Sequence, residues 1–177
     1  MSATTTSAAT TPATSRAAGT ASVLLLIGRL ALGGIFLIAA YTKLHFSGAW
    51  HLHDYHFFFA MAIDSYHMLP LEVVQLMARF LPWIELALGA LLILGVGLRW
   101  SALLTSMLLL VFIAAMTRAE MLGLEINCGC FGNNEKLGPA TLLRDSTLLL
   151  LAVAVTAGAF LAQRSRRQEL RPQKLRR

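Results

Sequence analysis

The sequence predicts an all-α protein, a bundle of four transmembrane helices with both termini inside and a short interfacial helix in the first outer loop. The 177 residues are 56% hydrophobic and only 14% charged, with a mean hydropathy of +0.64. A soluble domain carries roughly a quarter charged residues. Four stretches also reach the length of about 20 mostly apolar residues that a bilayer requires. They are predicted as helices, because an open strand leaves backbone groups unsatisfied in lipid.

The four predicted spans have clear apolar cores: Ser22–Leu44, Leu81–Leu98, Ser101–Leu122 and Ala140–Ala162. Before the second span, Glu72, Gln75 and Arg79 recur at helical spacing, which predicts an amphipathic outer turn leading into that span. Pro82 follows and could kink the helix. The small residues of ALGGIFLIAA and ALGALLILGVG suit close contact between helices.

Basic residues set the predicted orientation. Seven of the 15 lie in the C-terminal tail: Arg164, Arg166, Arg167, Arg171, Lys174, Arg176 and Arg177. An excess of Lys and Arg beside a span marks the cytoplasmic side, so we interpret the tail as cytoplasmic and touching anionic headgroups rather than nucleic acid. Four spans then place the N-terminus and the turn with Arg99 inside, and residues 45–69 and 123–139 outside. In the inner membrane of a bacterium, outside is the periplasm, where disulfides persist.

Three regions are expected along the chain. Residues 1–21 are rich in Thr, Ala and Ser, and we interpret them as a disordered cytoplasmic leader. A signal peptide is the rival interpretation, but its basic region would consist of Arg16 alone and its apolar stretch would be long. Residues 22–163 form one membrane domain, and residues 164–177 form the basic cytoplasmic tail.

Charged residues inside spans usually face a partner or a wet cavity. Glu85 lies in the second span and is expected to be protonated or paired, with Arg29 or Arg79 as its partner. A structural buried pair and a functional role both remain open for it. Other charged side chains gather at the outer ends of the spans: Lys43, Arg79, Arg118, Glu120, Arg144 and Asp145. For Lys43, Arg118 and Arg144 we weigh snorkelling to the headgroups against contact with a partner or a wet cavity.

All five histidines fall in the first outer loop: His45, His51, His53, His56 and His67. With the two cysteines on the same side they suggest a mixed Cys/His zinc site, but a single residue between the cysteines departs from the usual zinc spacing. We therefore predict no metal site. The aromatic stretch better fits a short helix along the membrane, with these side chains turned to lipid or bundle: Phe57, Phe58, Phe59, Met61, Ala62 and Ile63.

One glycine separates the only two cysteines, Cys128 and Cys130, in INCGCFG. A disulfide needs Cα atoms roughly 4.4–6.8 Å apart, and a bend at Gly129 would bring this pair into that range. So short a ring stabilises a fold little, and strain makes the bond labile, which favours exchange with a partner. Nearby cations would favour a thiolate: Arg118, Lys136 and Arg144. The alternatives are ordinary thiols and an inert turn disulfide.

Several of these segments resemble known membrane proteins. RLALGGIFLIAAYTKL and YHMLPLEVVQLMARFLPWIELALGALLILG resemble the first and second segments of the DoxX-like proteins. INCGCFG followed by GPATLLRDSTLLLLA closely resembles the end of the methylamine-utilisation accessory proteins, the MauE family. The resemblance runs from about Val23 to Ala162 and carries over these motif residues: Glu85, Cys128, Cys130, Phe131, Gly132, Arg144 and Asp145.

The resemblance implies a four-helix membrane protein that assists disulfide formation or electron delivery for periplasmic proteins, with a thioredoxin-like periplasmic partner. It leaves the substrate open, methylamine included. Cys128 and Cys130 are then the expected redox pair. Beneath them we expect a polar pocket, which could admit a quinone, formed by Glu85, Arg79, Arg118, Arg144 and Asp145.

Two other classes of function remain open at this stage. One is a non-catalytic membrane subunit or assembly factor of a quinone-linked oxidoreductase. The other is a small-molecule transporter with Glu85 and Arg29 in its pathway, for which a homodimer would supply additional spans. Whether the chain is itself an enzyme is equally open.

Overall fold

The structure is a computed structural model that describes residues 13–45, 55–131 and 136–174. These residues contain five helices: α1 (Ala13–Leu44), α2 (Tyr55–Asp64), α3 (Leu71–Leu94), α4 (Leu98–Met121) and α5 (Pro139–Lys174). Within these described ranges no strand is present, and one isolated antiparallel bridge joins Asn127 to Lys136. The prediction of an all-α fold is confirmed.

Four of the helices are long and apolar enough to cross a membrane. Their candidate spans are Ser22–Leu44, Leu71–Leu94, Leu98–Met121 and Pro139–Arg164. Large apolar side chains cover the outside of the bundle; Leu150, for example, is 70% exposed. Such a surface suits hydrocarbon rather than water, and the chain is a multi-pass membrane protein.

The boundaries of the second span differ from the prediction. The apolar pattern predicts Leu81–Leu98, whereas α3 is continuous over Leu71–Leu94 and includes both Pro82 and the amphipathic turn before it. The helix ends early because Gly95 takes the left-handed conformation, with its N–H bonded to the Leu91 carbonyl at 2.8 Å. Gly97 is left-handed too and directly precedes α4. Glycine adopts this backbone without strain, which makes it the usual residue at a helix end.

Both ends of the chain contain more helix than the apolar spans alone. The first helix begins at Ala13, within the predicted leader, and α5 extends to Lys174 through much of the predicted tail. Residues 1–12 and 175–177 lie outside the described residues. The leader and tail therefore remain predictions.

The four long helices are arranged around a square. α1 packs against α3 and α5, and α4 packs against the same two helices, so α1 and α4 occupy opposite corners. The buried core comes from all four: Leu32, Phe36, Leu88, Leu92, Ala102, Leu109, Ala152 and Val155. Between α1 and α3 the backbones nearly touch, because a Cβ added at Gly33 would lie 2.9 Å from the Gly89 carbonyl oxygen. The small-residue pattern thus marks a true close contact.

The short helix α2 lies in the first connection and packs mainly against α3. Phe57, Phe58 and Met61 are exposed on one side of it. Phe59, Ala62 and Ile63 face a cavity on the other side. These side chains are thus divided between an exposed side and a cavity, and the position of α2 at a membrane interface remains a prediction.

Candidate functional site

The cysteine loop connects α4 to α5 and lies against the turn that follows α2. The bridge between Asn127 and Lys136 draws the two sides of the loop together. The Tyr66 hydroxyl donates a hydrogen bond to the Cys128 carbonyl oxygen at 3.1 Å. Gly129 is left-handed (φ 68°), and an added Cβ there would lie 3.2 Å from the Ala62 Cβ. The bend expected at this glycine is therefore present, and the position favours a residue without a side chain.

Both cysteines are thiols in this structure. Cys128 is buried and Cys130 is half-buried. The Cys130 sulfur lies 3.5 Å from Asp145 Oδ2 and 3.6 Å from the Cys128 carbonyl oxygen. A carboxylate can thus accept the Cys130 thiol hydrogen directly.

The electrostatics at Cys130 oppose the expectation of a stabilised thiolate. A hydrogen bond with the Cys128 side chain, burial, and the negative charge of Asp145 raise the pKa of Cys130 well above its usual range. The ammonium of Lys43 lowers the pKa of this thiol but does not outweigh them. The protonated thiol is favoured first by its hydrogen bond with Cys128 and by burial, and only then by the negative charge of Asp145. Burial is the main cause that raises the pKa of Tyr66, followed by the nearby Cys130, Cys128 and Asp145, so the Tyr66 hydroxyl keeps its proton and can donate it.

Glu85 pairs with Lys43, so the prediction of Arg29 or Arg79 as its partner is wrong. Lys43 Nζ lies 2.5 and 2.7 Å from the two carboxylate oxygens, and both side chains are buried. Lys43 therefore does not snorkel to the headgroups. Side chains tilt toward the N-terminus of their helix, so a lysine near the end of α1 points down into the bundle. Arg29 lies at the opposite end, against Gly95.

Asp145 joins a second charged pair to the cysteines. Arg144 Nε lies 2.9 Å from Asp145 Oδ1, whereas Cys130 contacts the other carboxylate oxygen, Oδ2. The Arg144 guanidinium also lies over the Phe131 ring, 4.5 Å from its centroid. Asp145 is buried, so its carboxylate is fixed between a cation and a thiol.

A cleft of about 30 Å³ separates the two charged pairs. Lys43 and Glu85 contribute to it from one side, and Asp145, Phe131 and Cys130 from the other. Polar side chains of α1, α3 and α5 thus converge directly beneath the cysteine loop.

A larger cavity of about 500 Å³ opens beside this cleft. Both cysteines border it, together with Arg118, Lys43 and Tyr66. The remaining walls are mostly apolar and come from α2, α3, α4 and the turn after α2: Phe59, Ala62, Ile63, Met68, Leu69, Met77, Leu81, Val111, Phe112, Ala114 and Ala115.

The structure brings four of the five predicted pocket residues to the cysteines. Glu85, Asp145 and Arg144 lie at or beside the small cleft, and Arg118 borders the large cavity. Arg79 instead lines a separate cleft between α2 and α3 with these polar residues: His56, Asp64, Glu72 and Gln75. It faces α2 because the polar stripe on α3 turns away from the cysteine loop.

Two residues of the site, Lys43 and Tyr66, are absent from the pocket that the sequence predicts. Lys43 carries a signal in retrospect, since a second charge of opposite sign to Glu85 stands at the end of a neighbouring span. Tyr66 carries none, because its contact with the Cys128 carbonyl joins residues far apart in the chain.

No group of three or more His, Cys, Asp or Glu side chains that could hold a metal ion occurs within residues 13–45, 55–131 and 136–174. His51 and His53 fall between these ranges. The prediction of no metal site therefore stays a prediction.

Fold and site together define a class: a multi-pass helical membrane protein with a Cys-x-Cys loop above buried charged pairs. The family model of the methylamine utilisation protein MauE matches residues 21–158. The chain belongs to this family, as the resemblance of its cysteine loop predicts. No curated protein and no solved structure matches it. The resemblance to DoxX-like proteins remains a prediction.

Proposed function

We propose that this MauE-family protein is an inner-membrane accessory factor that exchanges disulfides with periplasmic redox proteins through Cys128 and Cys130. The observation that carries the proposal is the contact between the half-buried Cys130 thiol and the buried Asp145 carboxylate. A merely structural cysteine has no need of a buried proton acceptor, whereas exchange requires deprotonation of the attacking thiol.

The exchange balances in two steps. A thiolate of the partner attacks the Cys128–Cys130 disulfide, forming a mixed disulfide while the other cysteine leaves as a thiolate. The second partner thiolate then attacks the mixed disulfide, which leaves the partner oxidised and both cysteines reduced. The reverse sequence delivers electrons to a partner. Asp145 can hold a proton at the Cys130 sulfur and return it in either direction.

The distribution of basic residues and the family membership support a periplasmic location and a redox-protein partner for this exchange. The positive-inside rule favours a periplasmic cysteine loop, and a thioredoxin-like periplasmic protein suits a pair of exchanging thiols. Family membership supports a role in maturing redox proteins of the methylamine-utilisation type, with the substrate still to be identified.

A specific observation favours a second function, that of a non-catalytic membrane subunit or assembly factor. Cys128 is buried, and the pKa of Cys130 is raised rather than lowered. Thiols of this kind react slowly when no partner reorganises the loop. In this alternative the loop docks a redox enzyme without exchanging bonds with it.

Trapping of the mixed disulfide separates the two functions. When one cysteine of this chain attacks a partner's disulfide, the other cysteine releases the partner, so Cys128→Ser or Cys130→Ser should accumulate a covalent, reductant-sensitive complex in membranes. The complex is detected by acid quenching, thiol blocking and non-reducing electrophoresis. The matched control is the double variant Cys128→Ser/Cys130→Ser, which should show no such species. Absence of a complex in both single variants, together with full complementation by each, overturns the exchange proposal.

A further inference from the structure

We propose that the large cavity beside Cys128 and Cys130 binds a membrane quinone, which accepts the electrons released when the two cysteines join. The inference rests on the proposed thiol–disulfide exchange and adds the chemical class of the electron acceptor.

The shape and lining of the cavity fit an aromatic ring with an apolar tail. Its volume of about 500 Å³ falls within the usual range for small-molecule sites, roughly 300–1,000 Å³. Phe59 and Phe112 present rings to it, and Met77 adds an adaptable thioether. Nearly all of the wall is apolar, which disfavours a nucleotide or another polyanionic cofactor.

Part of the cavity wall comes from exposed residues of α4, which suits an opening toward the bilayer. Val111 and Ala114 of α4 line it and are exposed rather than enclosed in the bundle. A molecule dissolved in the bilayer can therefore enter between α4 and the neighbouring elements without crossing the water phase.

Lys43 supplies a hydrogen-bond donor inside this apolar wall. Two of its three N–H groups are directed at the Glu85 carboxylate, which leaves one for a ligand. Its Nζ lies 5.1 Å from the centroid of the Phe59 ring and 5.7 Å from that of Phe112. A quinone carbonyl oxygen between these rings would accept this hydrogen bond, whereas an acyl chain offers no acceptor there.

The positions of two cations also suit the negative charge that develops on a quinone during its reduction. Lys43 stands at the inner wall, and Arg118 borders the same cavity. Positive groups near a ring oxygen stabilise the negative charge that electrons bring to it. Both cysteines border this volume as well, so donor and acceptor share one cavity.

The redox step balances with this acceptor. Joining the two thiols breaks two S–H bonds, forms one S–S bond and releases two electrons and two protons. A bound quinone supplies the two-electron acceptor and becomes a quinol on taking up those protons. Within the chain, Asp145 takes the proton of Cys130, and Lys43 orients the ligand by its free N–H.

The test uses full-length reduced protein in lipid nanodiscs with decylubiquinone as the probe. Two thiols should disappear for each quinone reduced, measured by maleimide gel shift and ultraviolet absorbance. Ala115 lines the cavity, so Ala115→Phe should fill part of it and weaken quinone binding. Oxidation should then slow about tenfold or more, which corresponds to a loss of about 1.4 kcal/mol or more in binding free energy. Leu110→Phe is the matched control, because this residue is 52% exposed on the same helix and should leave the rate unchanged.

Binding is measured separately from turnover. An azidoquinone should photolabel the Cys128→Ser/Cys130→Ser variant at α2 or α4, with competition by decylubiquinone and loss of labelling in Ala115→Phe. If the azidoquinone does not label the protein, the inference is wrong. If phospholipid alone displaces the label, the cavity holds lipid and the inference is equally wrong. If mixed disulfides form but quinone oxidises no thiols, the inference fails while the exchange function stands. If no mixed disulfide forms, the exchange function itself fails.

Discussion

At the scale of single residues, the site depends on how buried charges are matched. Glu85 and Asp145 are both buried in the bundle, where an unmatched carboxylate is costly. Lys43 neutralises the first and Arg144 the second. The two pairs differ in one respect, because only Asp145 also contacts a cysteine. The chemistry of the thiol pair should therefore respond most directly to Asp145.

The pH dependence of Cys130 tests this contact. The negative charge of Asp145 raises the pKa of Cys130, so Asp145→Asn should lower that pKa and increase the thiolate fraction at any given pH. In a Cys128→Ala background, the curve of Cys130 alkylation rate against pH should move to lower pH when Asp145→Asn is added. Iodoacetamide labelling followed by mass spectrometry measures the rate.

The conservative variant separates charge from structure in this experiment. Asp145→Glu keeps the charge, so its curve should stay close to that of the Cys128→Ala parent. A shift of the Asp145→Asn curve to higher pH would contradict the assigned electrostatics, and so would identical curves for the two variants.

At the scale of elements, the contact between α1 and α3 positions half of the site. Gly33 and Gly89 allow the two backbones to approach closely, and the same approach lets Lys43 of α1 reach Glu85 of α3. Packing of small residues is a principal source of helix association in lipid. Separation of these helices would thus weaken both the bundle and the buried ion pair.

Two adjacent glycines of α1 provide a matched test of this contact. A Cβ at Gly33 would lie 2.7 Å from Ile93 Cγ1 and 2.9 Å from the Gly89 carbonyl oxygen, whereas a Cβ at Gly34 would have no neighbour within 4 Å. Gly33→Ala should therefore destabilise the protein by about 1–3 kcal/mol, the usual cost of overpacking. Gly34→Ala should be neutral or stabilising by up to about 1 kcal/mol through helix propensity. Unfolding in mixed micelles followed by circular dichroism measures both, and equal losses would contradict the close approach.

At the scale of the whole molecule, the charged pairs also bear on orientation. Lys43 and Arg144 lie near the end of the bundle that carries the cysteine loop, but each has a carboxylate partner. The positive-inside rule counts basic residues in flanking loops, so paired charges within helices weigh little against Arg99 and the tail. The proposed orientation is compatible with this distribution of charge.

Reporter fusions test this orientation. Alkaline phosphatase fused after Gly138 should be active, because the enzyme folds only where disulfides form. The same reporter fused after Gly97 should be inactive, and green fluorescent protein at the C-terminus should fluoresce. The reversed pattern would place the cysteine loop in the cytoplasm and remove the redox setting on which the proposed function depends.

Much of the fold could be predicted from the sequence because membrane solvation acts locally. Length and hydropathy are enough to identify four helices, and glycines such as Gly33 indicate a close contact without naming its partner. Boundaries were harder, since α3 ends where Gly95 turns left-handed rather than where apolar residues end. Of the site, the cysteines and Asp145 follow from the cysteine motif and from the Arg-Asp pair of the family.

Local pattern by itself determined that this protein is a four-helix membrane bundle with a Cys-Gly-Cys bend in one connecting loop. Only the tertiary structure decided what surrounds the cysteines: Lys43 rather than Arg29 or Arg79 at Glu85, Asp145 at Cys130, and an apolar cavity beside both thiols. The reason is physical. Span formation depends on each segment's own contact with lipid, whereas ion pairs and cavities depend on which helices meet and how they are rotated about their axes.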